Sequence, residues 1–147
     1  MEARLENPIL AVPGAMDIAK AMQKVLHGAE TSIDLELLSL RASQINGCAV
    51  CLEMHSTALR KAGEPDEKLH AVAAWRESVH FTDAERAALA LTEAATRIAD
   101  RGEAVPDDVW EDAADHFSEQ ELGLIVIQIA AINFFNRINA TTRQVAG

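Results

Sequence analysis

Twice in this chain a phenylalanine is followed by a hydroxyl residue and, three positions after that, by a glutamate: Phe81-Thr82 with Glu85, and Phe117-Ser118 with Glu121. In that spacing the hydroxyl and the glutamate each satisfy an amide that the first helical turn leaves unpaired, while the phenylalanine staples the incoming chain to the helix. The two signatures predict helices over Asp83 to Arg101, closed by Gly102, and about Glu119 to Asn139. Further helix punctuation fills the remainder. A periodic stretch from Ala15 to His27 stops at Gly28, and Thr31 and Asp34 have box spacing before a leucine-rich segment that runs to Ile45. Asn46-Gly47 interrupts that segment, and another helix follows from about Cys48 to Ala62, ending at Gly63. Pro65 and Pro106, each followed by two acids, suit first helical turns, the former opening a short helix to Trp75.

No segment alternates as a half-buried strand would. Alanine and leucine dominate and aromatics are 4%, which also favours helices. The expected fold class is all-α: one domain over residues 1–147, a bundle of about six to seven helices, with 49% hydrophobic residues to supply its core.

The longest apolar run, Leu122 to Ile132, is about half the length needed to span a bilayer. It does not read as a membrane segment. A helix apolar on nearly every side has to be covered all round, so an oligomer is expected. A net charge of -10 opposes binding to phosphate backbones or anionic lipids. Neither nucleic acid nor membrane is expected as a partner. The first residues lack the pattern of a secretory signal, and the expected location is the cytoplasm.

Both cysteines lie in "QINGCAVCLEMH", with Cys48, Cys51 and His55 at i, i+3 and i+7. On a helix these fall within an arc of roughly 60°. The break at Asn46-Gly47 sets Cys48 in the first turn, where free amides and the helix dipole lower a thiol pKa. A thiolate beside a second thiol can attack a peroxide, become a sulfenic acid and be resolved as a disulfide. His55 can serve as the base if it reaches Cys51, and Glu36, an acid in a leucine-rich helix, is the candidate to orient it. Two alternatives stand beside this: a pair of core thiols, and a zinc site that would need a fourth ligand beyond Cys48, Cys51 and His55. His27, His70, His80 and His116 have no such phasing with the thiols and read as surface or structural; Trp75-Arg76 and Asn136-Arg137 read as packing residues. A thioredoxin is excluded, because its CxxC follows a strand.

Glu36, Cys48, Cys51 and His55 together reproduce E-x11-C-x2-C-x3-H. That pattern resembles the core of alkylhydroperoxidase D (AhpD), within the carboxymuconolactone decarboxylase superfamily. "AWRES" (Ala74 to Ser78), "FTDAERAALALTEAATRI" (Phe81 to Ile98) and "NFFNR" (Asn133 to Arg137) extend the likeness to single-core AhpD-like proteins, with a motif core over about residues 30–101. The resemblance implies helical subunits in trimers or hexamers and no metal or other cofactor. It implies a peroxidase cycle in which Cys51 is oxidised, Cys48 closes the disulfide, and His55 and Glu36 relay protons. The reductant would be a thioredoxin-like or lipoylated dithiol protein, with a relay to a peroxiredoxin or a redox-sensing oligomer as other uses. AhpD carries a histidine between its cysteines where this chain has Ala49 and Val50, and single-core relatives carry tryptophan at the position of Phe135. The superfamily's decarboxylases lack the cysteine pair.

Overall fold

The computed structural model describes residues 2–100 and 102–147. Among them are eight α-helices, two 3₁₀ segments and no strand: α1 (Pro8–Ala11), α2 (Ala15–His27), α3 (Leu35–Asn46), α4 (Ala49–Ala62), α5 (Asp66–Ala71), a 3₁₀ segment (Val72–Glu77), α6 (Asp83–Thr96), a second (Ile98–Asp100), α7 (Asp107–His116) and α8 (Glu119–Thr142). The all-α expectation holds, with one helix more than the six to seven expected. The addition is the single turn α1, which Asn7 caps by accepting from the Ile9 amide.

Both capping boxes form, Thr82 with Glu85 and Ser118 with Glu121. Four boundaries depart from the local rules. Asp34, not Thr31, caps α3, by accepting from the Glu36 amide. Pro65 and Pro106 sit one residue outside their helices, as N-caps. The helix expected up to Arg101 ends at Thr96, and Arg101 itself lies outside the described residues.

The central helix α3 packs against α4, α6 and α8. Leu37 and Leu38 on α3, Leu59 on α4, Leu89 and Leu91 on α6 and Ile125 on α8 are fully buried in one cluster. At roughly 25 cal/mol per Å² of apolar surface, each such side chain stabilises the bundle by about 2 kcal/mol. Glu93 on α6 ties the shell together, with Arg41, Trp75, Arg76 and Arg97 all on its carboxylate.

α8 is the one described helix long and apolar enough to cross a membrane by length and composition. Half of its apolar window is buried against the bundle. Gln128, Asn133 and Asn136 are buried along it, and each hydrogen-bonds to α3 or α6. Its other side leaves Val126, Ile127 and Phe134 exposed.

Candidate active site around the cysteine pair

The site begins where α3 stops. Gly47 takes φ +66°, the left-handed conformation that most side chains resist, and the chain turns sharply into α4. Cys48 therefore lies not in the first turn but at the N-cap, with extended φ/ψ of -90° and 97°. A helical arc accordingly describes Cys51 and His55 but not Cys48. The N-cap position still aims the Cys48 side chain across the turn toward Cys51, with the two Cα atoms 5.4 Å apart and the sulfurs joined in a disulfide. Both cysteines are almost completely buried.

One turn beyond Cys51, His55 is buried and its Nδ1 lies 2.6 Å from Oε2 of Glu36. A carboxylate only accepts, so Nδ1 carries a proton, and in the neutral ring the lone pair is then on Nε2. Among the described residues Nε2 is the one buried side-chain nitrogen or oxygen without a hydrogen-bond partner. An unpartnered polar atom in a core costs about 1–3 kcal/mol, so its presence calls for a use. Glu36 is half-buried, less enclosed than its leucine-rich helix suggested, because its carboxylate edges a cavity of about 260 Å³. Met22, His27, Met54, Ile132 and Phe135 line that cavity with His55. His55 makes no hydrogen bond to either sulfur. Cys48 borders a different cavity, of about 440 Å³, shared with Asn139, Arg143 and Gln144.

The four residues singled out from sequence thus form two bonded pairs, Cys48–Cys51 and Glu36–His55, linked through α4. Among the described residues no group of three or more His, Cys, Asp or Glu is gathered as metal ligands. Two features escaped the sequence reading. His27, set aside for lack of phasing, reaches the His55 cavity from α2. A ladder of asparagines on α8 clamps the α3–α4 junction: Asn133 and Asn136 both accept from Asn46 Nδ2, Asn136 donates to Ser43, and Asn139 Nδ2 lies 3.5 Å from Cys51 Sγ. The signal was present as three asparagines spaced by three in an apolar helix, each needing a partner once buried.

The family model for the carboxymuconolactone decarboxylase family matches residues 13–94, more than half of the chain and all four of these residues. The chain belongs to that family. Within it, the chain is AhpD-like. It is 35% identical over 130 residues to an uncharacterized protein, YdfG, of Bacillus subtilis, covering 86% of each. It is 34% identical to the alkyl hydroperoxide reductase AhpD of Solibacter usitatus over 67 residues, which are 46% of this chain and 38% of that one. Among solved structures, a protein of unknown function from Agrobacterium tumefaciens, provisionally assigned to antioxidant defence as AhpD, superposes with a TM-score of 0.90 at 35% identity over 99% of both chains. An uncharacterized peroxidase-related protein of Silicibacter shares the fold at a TM-score of 0.77, with 20% identity over 90% of this chain and 70% of that one.

Proposed function

We propose that this chain is a thiol peroxidase that reduces hydrogen peroxide or small organic hydroperoxides through Cys51 and Cys48. The observation that carries the reading is the pairing of buried His55 with half-buried Glu36, the ring's Nε2 left without a partner one helical turn from Cys51. In the reduced enzyme the Nε2 lone pair takes the Cys51 thiol proton through a water or the substrate, since no direct contact links ring and sulfur. The Cys51 thiolate attacks the terminal peroxide oxygen, forming an S–O bond and breaking the O–O bond. The departing alkoxide takes the proton from His55 and leaves as the alcohol. Cys48 thiolate then attacks the Cys51 sulfenic acid, the S–O bond breaks, and water departs with one further proton. The product is the disulfide seen in the structure. A thioredoxin-like or lipoylated dithiol protein returns the two electrons by thiol–disulfide exchange. The enzyme works in the cytoplasm as a trimer or hexamer, and the apolar side of α8 with exposed Val126, Ile127 and Phe134 supports the assembly.

A second reading makes the chain a disulfide oxidoreductase that passes electrons to a partner such as a peroxiredoxin. The observation favouring it is that Cys48 borders its own cavity, away from His55, where a protein thiol could dock. One measurement separates the two. Fully reduced protein is mixed with stoichiometric cumene hydroperoxide, peroxide loss is timed, and intact mass is read afterwards. Loss far faster than with a free thiol, and a fall of about two mass units per chain, is expected. Oxidation at the free-thiol rate would overturn the peroxidase reading in favour of the second.

A further inference from the structure

The proton relay just described makes no use of Asn139, which lies beyond the residues matched by the family model. Its place on α8 nevertheless brings a side-chain amide to the sulfur of Cys51, at 3.5 Å. Among the described residues it is the one side chain that hydrogen-bonds to either sulfur.

The orientation of that amide is fixed from a distance. Asn7 caps α1, and its Oδ1 accepts from the Ile9 amide at 3.0 Å. A backbone N–H only donates, so Asn7 keeps its oxygen toward Ile9 and has Nδ2 left to offer. That Nδ2 donates to Asn139 Oδ1 at 3.2 Å. With its oxygen turned toward Asn7, Asn139 presents N–H to Cys51. The direction of donation is thereby set at α1 and read out at the sulfur.

A disulfide sulfur is a weak acceptor, whereas a thiolate accepts as a full charge. The donor is matched to the reduced, ionised state of Cys51. At that residue the first turn of α4 adds unpaired amides and a favourable dipole but no charged side chain.

We propose that Asn139 is a catalytic amide that holds Cys51 as a thiolate at neutral pH, and that Asn7 is the residue that positions it. Calling the amide catalytic rests on the peroxidase reading; its effect on the thiol does not. Ionisation releases the Cys51 proton and leaves the electron pair on a sulfur that already faces a donor. The same donor receives the charge again when a reductant thiolate bonds to Cys48 Sγ and the Cys48–Cys51 bond breaks with its electron pair remaining on Cys51.

The test isolates Cys51 as the sole thiol in the Cys48→Ser protein and follows its alkylation by iodoacetamide from pH 5 to 10, with intact mass as the readout. Asn139→Ala is expected to raise the midpoint and slow alkylation at pH 7 by about tenfold. Asn7→Asp is the sharper variant. Its carboxylate still caps α1 but has no N–H to give, so Asn139 turns its own N–H toward Asp and its carbonyl toward Cys51. Its midpoint should rise at least as far as that of Asn139→Ala, although residue 7 touches no sulfur, while far-UV circular dichroism stays unchanged. Coincident midpoints in the parent and both variants would overturn the proposal. Shifted midpoints in a protein that consumes peroxide no faster than a free thiol would sustain the amide and remove the peroxidase reading alone.

Discussion

Two glutamates, Glu36 on α3 and Glu93 on the neighbouring α6, are put to opposite uses. Glu93 is 5% exposed, and its two oxygens receive Arg41, Trp75, Arg76 and Arg97. Burial alone would push its carboxyl up, but the hydrogen bonds from Arg76, Trp75 and Arg41 outweigh that effect and hold it at about 2. Glu36 is half-buried, has one partner, and that partner ends in a nitrogen with none. A saturated carboxylate is a structural tie, because every lone pair is spent on holding elements together. An acid that passes its one bond to a histidine with a free lone pair holds reactivity in reserve.

The comparison is broken most forcefully at Glu93. Glu93→Gln should cost about 3–5 kcal/mol of unfolding free energy in urea, because it strands Arg41 with a lost partner in a buried setting. Thiol reactivity of the protein that still folds should match the parent's. A loss of reactivity at unchanged stability would make Glu93 part of the site instead. At His55 the pattern should invert. His55→Leu should slow peroxide-driven thiol oxidation near neutral pH by about 10²-fold, yet move unfolding free energy by only about 1 kcal/mol, since the lost Nδ1 bond to the half-buried Glu36 is offset by removal of Nε2, a buried atom with no partner. Stopped-flow oxidation and urea titration of the same sample read both quantities, and a large stability loss with an unaltered rate would make the histidine structural. Glu36→Gln should act in the same direction but more weakly, by about tenfold, because an amide can still accept from Nδ1.

The smallest effect is one of pH. Glu93 has its carboxyl held at about 2, below the ordinary 4.5. Its share of the stability is complete above pH 4.5 and is lost as pH falls toward about 2. Glu121, which Ser32 and Ser118 hydrogen-bond and hold at about 2, adds to the slope in the same window. Urea midpoints measured down that range should fall in the parent and fall less in Glu93→Gln. Parallel slopes would show that Glu93 is not what links stability to acid.

Helix starts at Thr82 and Ser118, and the break at Asn46-Gly47, were legible because capping and glycine conformation are settled within a few residues. The cysteine pair was legible for the same reason: two residues three apart across a helix start are neighbours in any fold that forms the helix. That Cys48 is a cap and not a helical residue was not, since the helix start shifts by one residue with the turn that precedes it. The sequence also nominated His55 by its phasing with the thiols and Glu36 as an acid in a leucine-rich helix, but their contact joins α3 to α4 and depends on how those helices cross. Asn7 and Asn139 stand 132 residues apart, and His27 approaches the cavity from α2. By itself the sequence determined the main helical segments, α1 excepted, and where the thiols meet, because those are short-range backbone effects. Tertiary packing alone decided which lone pair stays free and which amide faces the sulfur, because burial and partnership are properties of helices brought together from distant parts of the chain.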